Sequence, residues 1–256
     1  MASRVLLAAE VPEDGSRRMP RWAVEATLLA GLYLVGELVR GVARGATSSA
    51  EGHARTIVRL EGHLHVFDEP TIQHAAGHIG LSTFLGYAYV SLHLGGTAAV
   101  LVWVYRRHRP AYARLRNTLV LASGLAVAGY ALFPTAPPRL AGIGMSDTVS
   151  RSTVVDLHST VVSSLYNPYA AVPSVHIVFS VIAGVTVFRL AGHPLSRAAG
   201  ASYPVFVLFV IVATGNHFFF DAAAGVAVAG MALATTALAR PLRGRLRPGQ
   251  PAHEFG

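Results

Sequence analysis

Residues 198–239 read AAGASYPVFVLFVIVATGNHFFFDAAAGVAVAGMALATTALA, a stretch bounded by Arg197 and Arg240 in which Asp221 is the sole Asp, Glu, Arg or Lys. Its two apolar runs, 198–214 and 218–239, each approach the roughly 20 residues that cross a bilayer core. Between them lie Gly215 and Asn216, which predict a turn that sends the chain back across the membrane. Outward from this hairpin, the same criterion selects 175–190, 117–133, 79–105 and 22–39. The expectation is an all-α polytopic membrane bundle of six transmembrane helices. One membrane domain, 22–239, is expected between a cytoplasmic N-terminal segment, 1–21, and a basic cytoplasmic tail, 240–256.

Composition agrees. Hydrophobic residues make up 52% and charged residues 13%, against about 25% charged in soluble domains. All 21 basic residues are Arg and face 13 acids, for a formal charge of +8. Because the arginines gather at the edges of apolar runs, they orient spans and do not form a nucleic-acid surface. Six-span alternation puts 15 arginines on one side and 6 on the other. Both termini are therefore expected in the cytoplasm, with loop 134–174 and the Gly215-Asn216 turn on the outer face of a cell membrane. The absence of cysteine excludes disulfides and thiol catalysis.

Segment 40–78 is too polar to span. Ile57, Leu60, Leu64 and Phe67 recur at helical spacing before Glu69-Pro70, which predicts an amphipathic interfacial helix. Asp68, Glu69, His74 and His78 are read as its polar face. His63 and His65 have no carboxylates at ligand spacing, so neither a metal nor a cofactor is expected.

Three span ends meet on the outer face. They are Phe133-Pro134-Thr135-Ala136-Pro137-Pro138-Arg139, Asn167-Pro168-Tyr169-Ala170-Ala171-Val172-Pro173-Ser174-Val175-His176 and Thr214-Gly215-Asn216-His217-Phe218-Phe219-Phe220-Asp221. Pro173-Ser174 opens a helix, which puts His176 in the first turn, where unpaired N–H groups and the dipole favour an anion. His217 and Asp221 are four apart and share a helical face. A carboxylate there accepts from one ring nitrogen, fixes the tautomer and leaves the other lone pair free to attack. His176 is placed to supply a complementary proton. Arg139 offers a planar fork for phosphate oxygens, and Ser174 with the helix amides completes an oxyanion site.

At these residues the chain resembles the type 2 phosphatidic acid phosphatase superfamily. Its pattern is Lys-x6-Arg-Pro, then Pro-Ser-Gly-His, then Ser-Arg-x5-His-x3-Asp. Pro173-Ser174-Val175-His176 fits the second motif with Val for Gly, and His217-x3-Asp221 fits the end of the third. Position 132 carries Leu where the first motif has Lys, Pro138-Arg139 is a loose counterpart of Arg-Pro, and Val210-Ile211 replaces Ser-Arg. In these departures the chain looks more like the branch containing inositol phosphorylceramide synthase and its bacterial relatives. The resemblance implies a six-helix bundle with His217 as nucleophile, Asp221 as its orienting partner and His176 as the acid for the leaving group. Arg139 would carry the phosphate clamp, alone or with Arg151.

The function expected is a lipid phosphotransferase or phosphatase acting through a phosphohistidine on a membrane lipid phosphate or phosphodiester. Transfer to a small alcohol such as inositol is favoured, and Asn167, Tyr169 and Asn216 are candidates for lining the acceptor pocket. Release of phosphate to water is the alternative within the same chemistry. A transporter or proton-coupled channel is the alternative of another class, since it too carries intramembrane ionisable groups. No obligate protein partner is expected.

Overall fold

The computed structural model describes residues 47–157 and 168–238. The expected first span 22–39, the segments 1–21 and 240–256, and Asn167 lie outside the described residues. The described residues are helical apart from loops and one parallel bridge, Thr135 to Ala170. In chain order the helices are α1 (Thr47–His63), α2 (Glu69–His78), α3 (Ser82–Ser91), α4 (Thr97–Arg107), α5 (Arg109–Leu132), α6 (Thr148–Ser152), α7 (Val175–Leu190), α8 (Pro194–Ala213) and α9 (Phe219–Leu238).

Three of these, α5, α8 and α9, are long and apolar enough to cross a membrane, and α3 with α4 makes a fourth if the pair is one span. The expected continuous span 79–105 is instead two helices bent by 47°. A π-helical turn, Leu92–Gly96, separates them. The Tyr203 hydroxyl of α8 donates to the Leu92 carbonyl at 2.8 Å, so the turn is pinned by a residue far along the chain. The expected span 175–190 is a helix with those bounds. At about 1.5 Å per residue its 16 residues reach less far than a bilayer core of about 30 Å.

Helix starts follow local chemistry. Pro110 and Pro194 sit in the first turns of α5 and α8, where a missing N–H is harmless. His193 Nδ1 accepts from Leu195 N and caps α8. Packing between α7 and α8 depends on two glycines, because a Cβ on Gly184 would collide with the Gly200 carbonyl. Small residues let membrane helices approach this closely. A main core fills the space between α4, α5, α7 and α9 with Val104, Leu119, Ala122, Val178, Ile182 and Ala229. Large apolar side chains such as Val205, Phe206, Phe209, Val226 and Met231 point outward, as expected where lipid is the solvent.

Segment 40–78 departs from the expectation of one interfacial helix. Its described part forms α1 and α2, joined through His65 at a positive φ. The buried stripe of α1 is Ala50, Ala54, Ile57 and Glu61, while Leu60 and Leu64 are exposed. Ala50, Ala54 and Ile57 pack with Ala136, Val172 and Phe218, so α1 is part of the body that holds the turn of the α8–α9 hairpin. Glu69, expected on a polar face, is fully buried, whereas Asp68 is exposed. Gln73 on α2 clamps loop 134–174 by donating to the Ser146 carbonyl at 2.9 Å and accepting from Ser146 N at 2.9 Å.

Candidate active site

The site is assembled by backbone bonds between its three segments. Thr135 N donates to the Tyr169 carbonyl at 2.8 Å, and Ala171 N returns a bond to Thr135 O. Arg139 N donates to the Gly215 carbonyl at 3.0 Å, and Ser174 N to the Asp221 carbonyl at 3.0 Å. Each loop is thus bonded to the next. Gly215 makes the tight turn at φ +73, a conformation that costs glycine little. Asn216 N and His217 N both donate to the Ile211 carbonyl, which closes the end of α8.

His217 Nδ1 and Asp221 Oδ2 are 3.1 Å apart, and the same oxygen accepts from Phe218 N at 2.9 Å. The carboxylate is therefore held by its own helix start before it holds the imidazole. This bond engages Nδ1 and leaves Nε2 as the ring nitrogen whose lone pair is open to a substrate. The His176 ring lies 5.4 Å from the His217 ring, centroid to centroid, and Tyr89 stacks on the His176 ring at 4.4 Å. Asp221, His217, His176 and Ser174 are all buried. Water is largely kept from them, which strengthens every charge interaction within the site.

The residues expected to bind phosphate divide in two. Ser174 occupies the N-cap position of α7, yet its side chain makes no capping bond, and its buried Oγ has no hydrogen-bond partner among the described residues. A buried hydroxyl in that condition, beside first-turn amides, suits an incoming oxyanion. The Arg139 side chain is also buried, and its Nε lies 3.5 Å from Asp147 Oδ2. Asp147 is itself fixed by capping α6 through Ser150 N. Arg151 is exposed in the last turn of α6.

Of the expected acceptor-pocket residues, Asn216 is buried and its amide donates to Thr214 O and Oγ1, so it braces the turn. Tyr169 packs against the Ile57 and Phe218 cluster and joins the Pro134 loop through its carbonyl. A cavity of about 760 Å³ lies instead between α2 and loop 144–148, with Gln73, His74, His78, Ser146 and Thr148 among its walls. It adjoins the Gly215 turn, against which Gln73 and Ser146 pack closely.

A family model described as PAP2 superfamily matches residues 55–235. The chain belongs to the PAP2 superfamily. The matched span begins within α1 and ends within α9, so it contains His176, Asp221 and His217 as well as the Arg139 loop. Membership in the PAP2 superfamily supports a phosphatase- or phosphotransferase-type lipid function. No curated protein and no solved structure gives a match.

Sequence reasoning missed three residues that touch this site. Tyr89 supports His176 from within a run read only as a span. Glu61 and Glu69 accept hydrogen bonds from Phe220 N and Phe219 N, beside Asp221. A signal for Glu61 was available, because it continues the 50, 54, 57 stripe by one more helical step.

Proposed function

We propose that this PAP2 superfamily member is an integral-membrane lipid phosphotransferase working through a phosphohistidine on His217. The observation that carries the reading is the buried His217 Nδ1 to Asp221 Oδ2 bond with the His176 ring 5.4 Å away. In the first half-reaction Nε2 of His217 attacks phosphorus, the P–O bond to the leaving group breaks and His176 gives that oxygen a proton. Asp221 stabilises the charge left on the imidazole. In the second, His176 takes the proton from an incoming hydroxyl, whose oxygen displaces His217 from phosphorus. Ser174 Oγ, the first amides of α7 and Arg139 hold the equatorial oxygens, so the transferring group needs no bound cation.

Transfer to a small polyhydroxyl alcohol such as inositol is the preferred second step. The polar cavity beside the Gly215 turn supports it, since Gln73, Ser146, Thr148 and two histidines suit several hydroxyls better than an acyl chain. The apolar runs support six spans, and the arginine distribution over that alternation supports cytoplasmic termini and a site on the outer face.

Purified protein in vesicles, given labelled lipid phosphates and phosphodiester lipids with and without inositol, tests this directly. A labelled inositol phosphate ester that forms at the expense of free phosphate is the expected product. Free phosphate alone, unchanged by any alcohol, would make the protein a phosphatase, and no turnover of either lipid class would leave a transport role.

A further inference from the structure

Three consecutive N–H groups at the start of α9 are held by three different carboxylates. Phe218 N donates to Asp221 Oδ2 at 2.9 Å, Phe219 N to Glu69 Oε1 at 3.0 Å and Phe220 N to Glu61 Oε1 at 2.6 Å. One carboxylate belongs to α9, while the others reach in from α1 and α2, 159 and 150 residues away in sequence. An ordinary helix start is served by one polar side chain.

Glu61 and Glu69 are 2% and 0% exposed. Their remaining oxygens, both Oε2, are buried with no donor among the described residues. The two carboxyl groups are neighbours, since they accept from consecutive amides of one turn, and the charge of Glu69 acts on Glu61. Two ionised carboxylates in this position would repel and leave two buried oxygens unpaired, whereas one proton between them satisfies both. No arginine pairs with either among the described residues, and the titratable groups facing the pair are Asp221 and, through it, His217. Burial, reinforced by the bond to and charge of Glu69, pushes the Glu61 carboxyl up to about 9.

We propose that Glu61 and Glu69 are a positioning pair that shares one proton, holds the first turn of α9 and so keeps the His217–Asp221 couple in its attacking pose. The inference rests on the proposal that His217 is the nucleophile. When the shared proton leaves, one carboxylate must swing away, freeing a backbone amide in the turn that carries Asp221. A glutamine at either position reproduces the protonated acid, because its carbonyl accepts from α9 and its amide donates to the remaining carboxylate. Two glutamines cannot do this, since two NH₂ groups would then face each other.

The test uses the full chain in vesicles with p-nitrophenyl phosphate, whose leaving group needs no proton from His176. In the wild type kcat should fall as pH rises through about 9, with KM little changed. Glu61→Gln should keep most of the neutral activity and lose that alkaline limb, since an amide cannot ionise. Glu69→Gln should also remain active, while the double glutamine variant should fall well below the product of the two single effects. Should the double variant fail to fold by size exclusion, the Glu61→Gln limb decides alone. A wild-type alkaline limb in Glu61→Gln overturns the proposal. His217→Ala is run alongside: turnover there defeats the phosphohistidine reading itself, whereas a dead His217→Ala beside an unaltered Glu61→Gln limb defeats the pair alone.

Discussion

In the proposed mechanism His217 attacks only while Asp221 engages its other nitrogen, and this makes the two histidines separable by substrate. His217→Ala should abolish turnover on every substrate. His176→Ala should slow an alkyl lipid phosphate by about 10²–10⁴-fold, the usual worth of general acid catalysis, and slow p-nitrophenyl phosphate much less. Equal losses on both substrates would remove His176 from its role as acid. Asp221→Asn should fold and bind substrate but lose kcat, by up to about 10⁴-fold, because an amide does not stabilise the imidazolium. The four-residue step from His217 to Asp221 was legible in the sequence because helix geometry alone brings those positions together. Tyr89 and Glu69 were not, since what puts them at the site is packing between distant helices.

At the scale of elements, the bounds of α7 were readable because Pro173-Ser174 marks its start and an unbroken apolar run follows. The bend between α3 and α4 was not, as its cause includes Tyr203 on α8. The buried face of α1 escapes a hydropathy reading because alanines at 50 and 54 carry weaker hydropathy than Leu60 and Leu64, yet they fit the closer contact. Two predictions belong here. Gly184→Leu should force α7 from α8 and cost about 1–3 kcal/mol, the usual penalty of overpacking, visible as a lower melting temperature in detergent; an unchanged value would mean the helices do not approach so closely. Glu61 also predicts a pH slope in stability. The unfolded carboxyl loses its proton near 4.5 and the folded one near 9, so the native state binds more protons between those values. Stability should therefore fall across that window and level above it. Glu61→Gln should flatten this slope, and a slope identical to wild type would contradict the raised value.

For the whole molecule, hydropathy and charge counting gave a membrane-embedded helical protein, and the short motifs gave the superfamily. What they could not give was how α1 and α2 complete the site, because the bonds involved run to backbone amides that carry no sequence signature. The cysteine-free chain makes sidedness accessible to a single label. Val154 is 88% exposed in loop 134–174, and Val154→Cys should react with an impermeant maleimide added outside intact cells. Reaction only after the cytoplasmic face is opened would invert the topology. Passage of the phosphoryl group through His217 is tested by rapid quench of the vesicle-embedded enzyme with a ³²P-labelled lipid phosphate. An acid-labile, alkali-stable label is expected on the peptide containing His217, accumulating in wild type and absent from His217→Ala. Full turnover with no trapped label, or label that persists in His217→Ala, would contradict it.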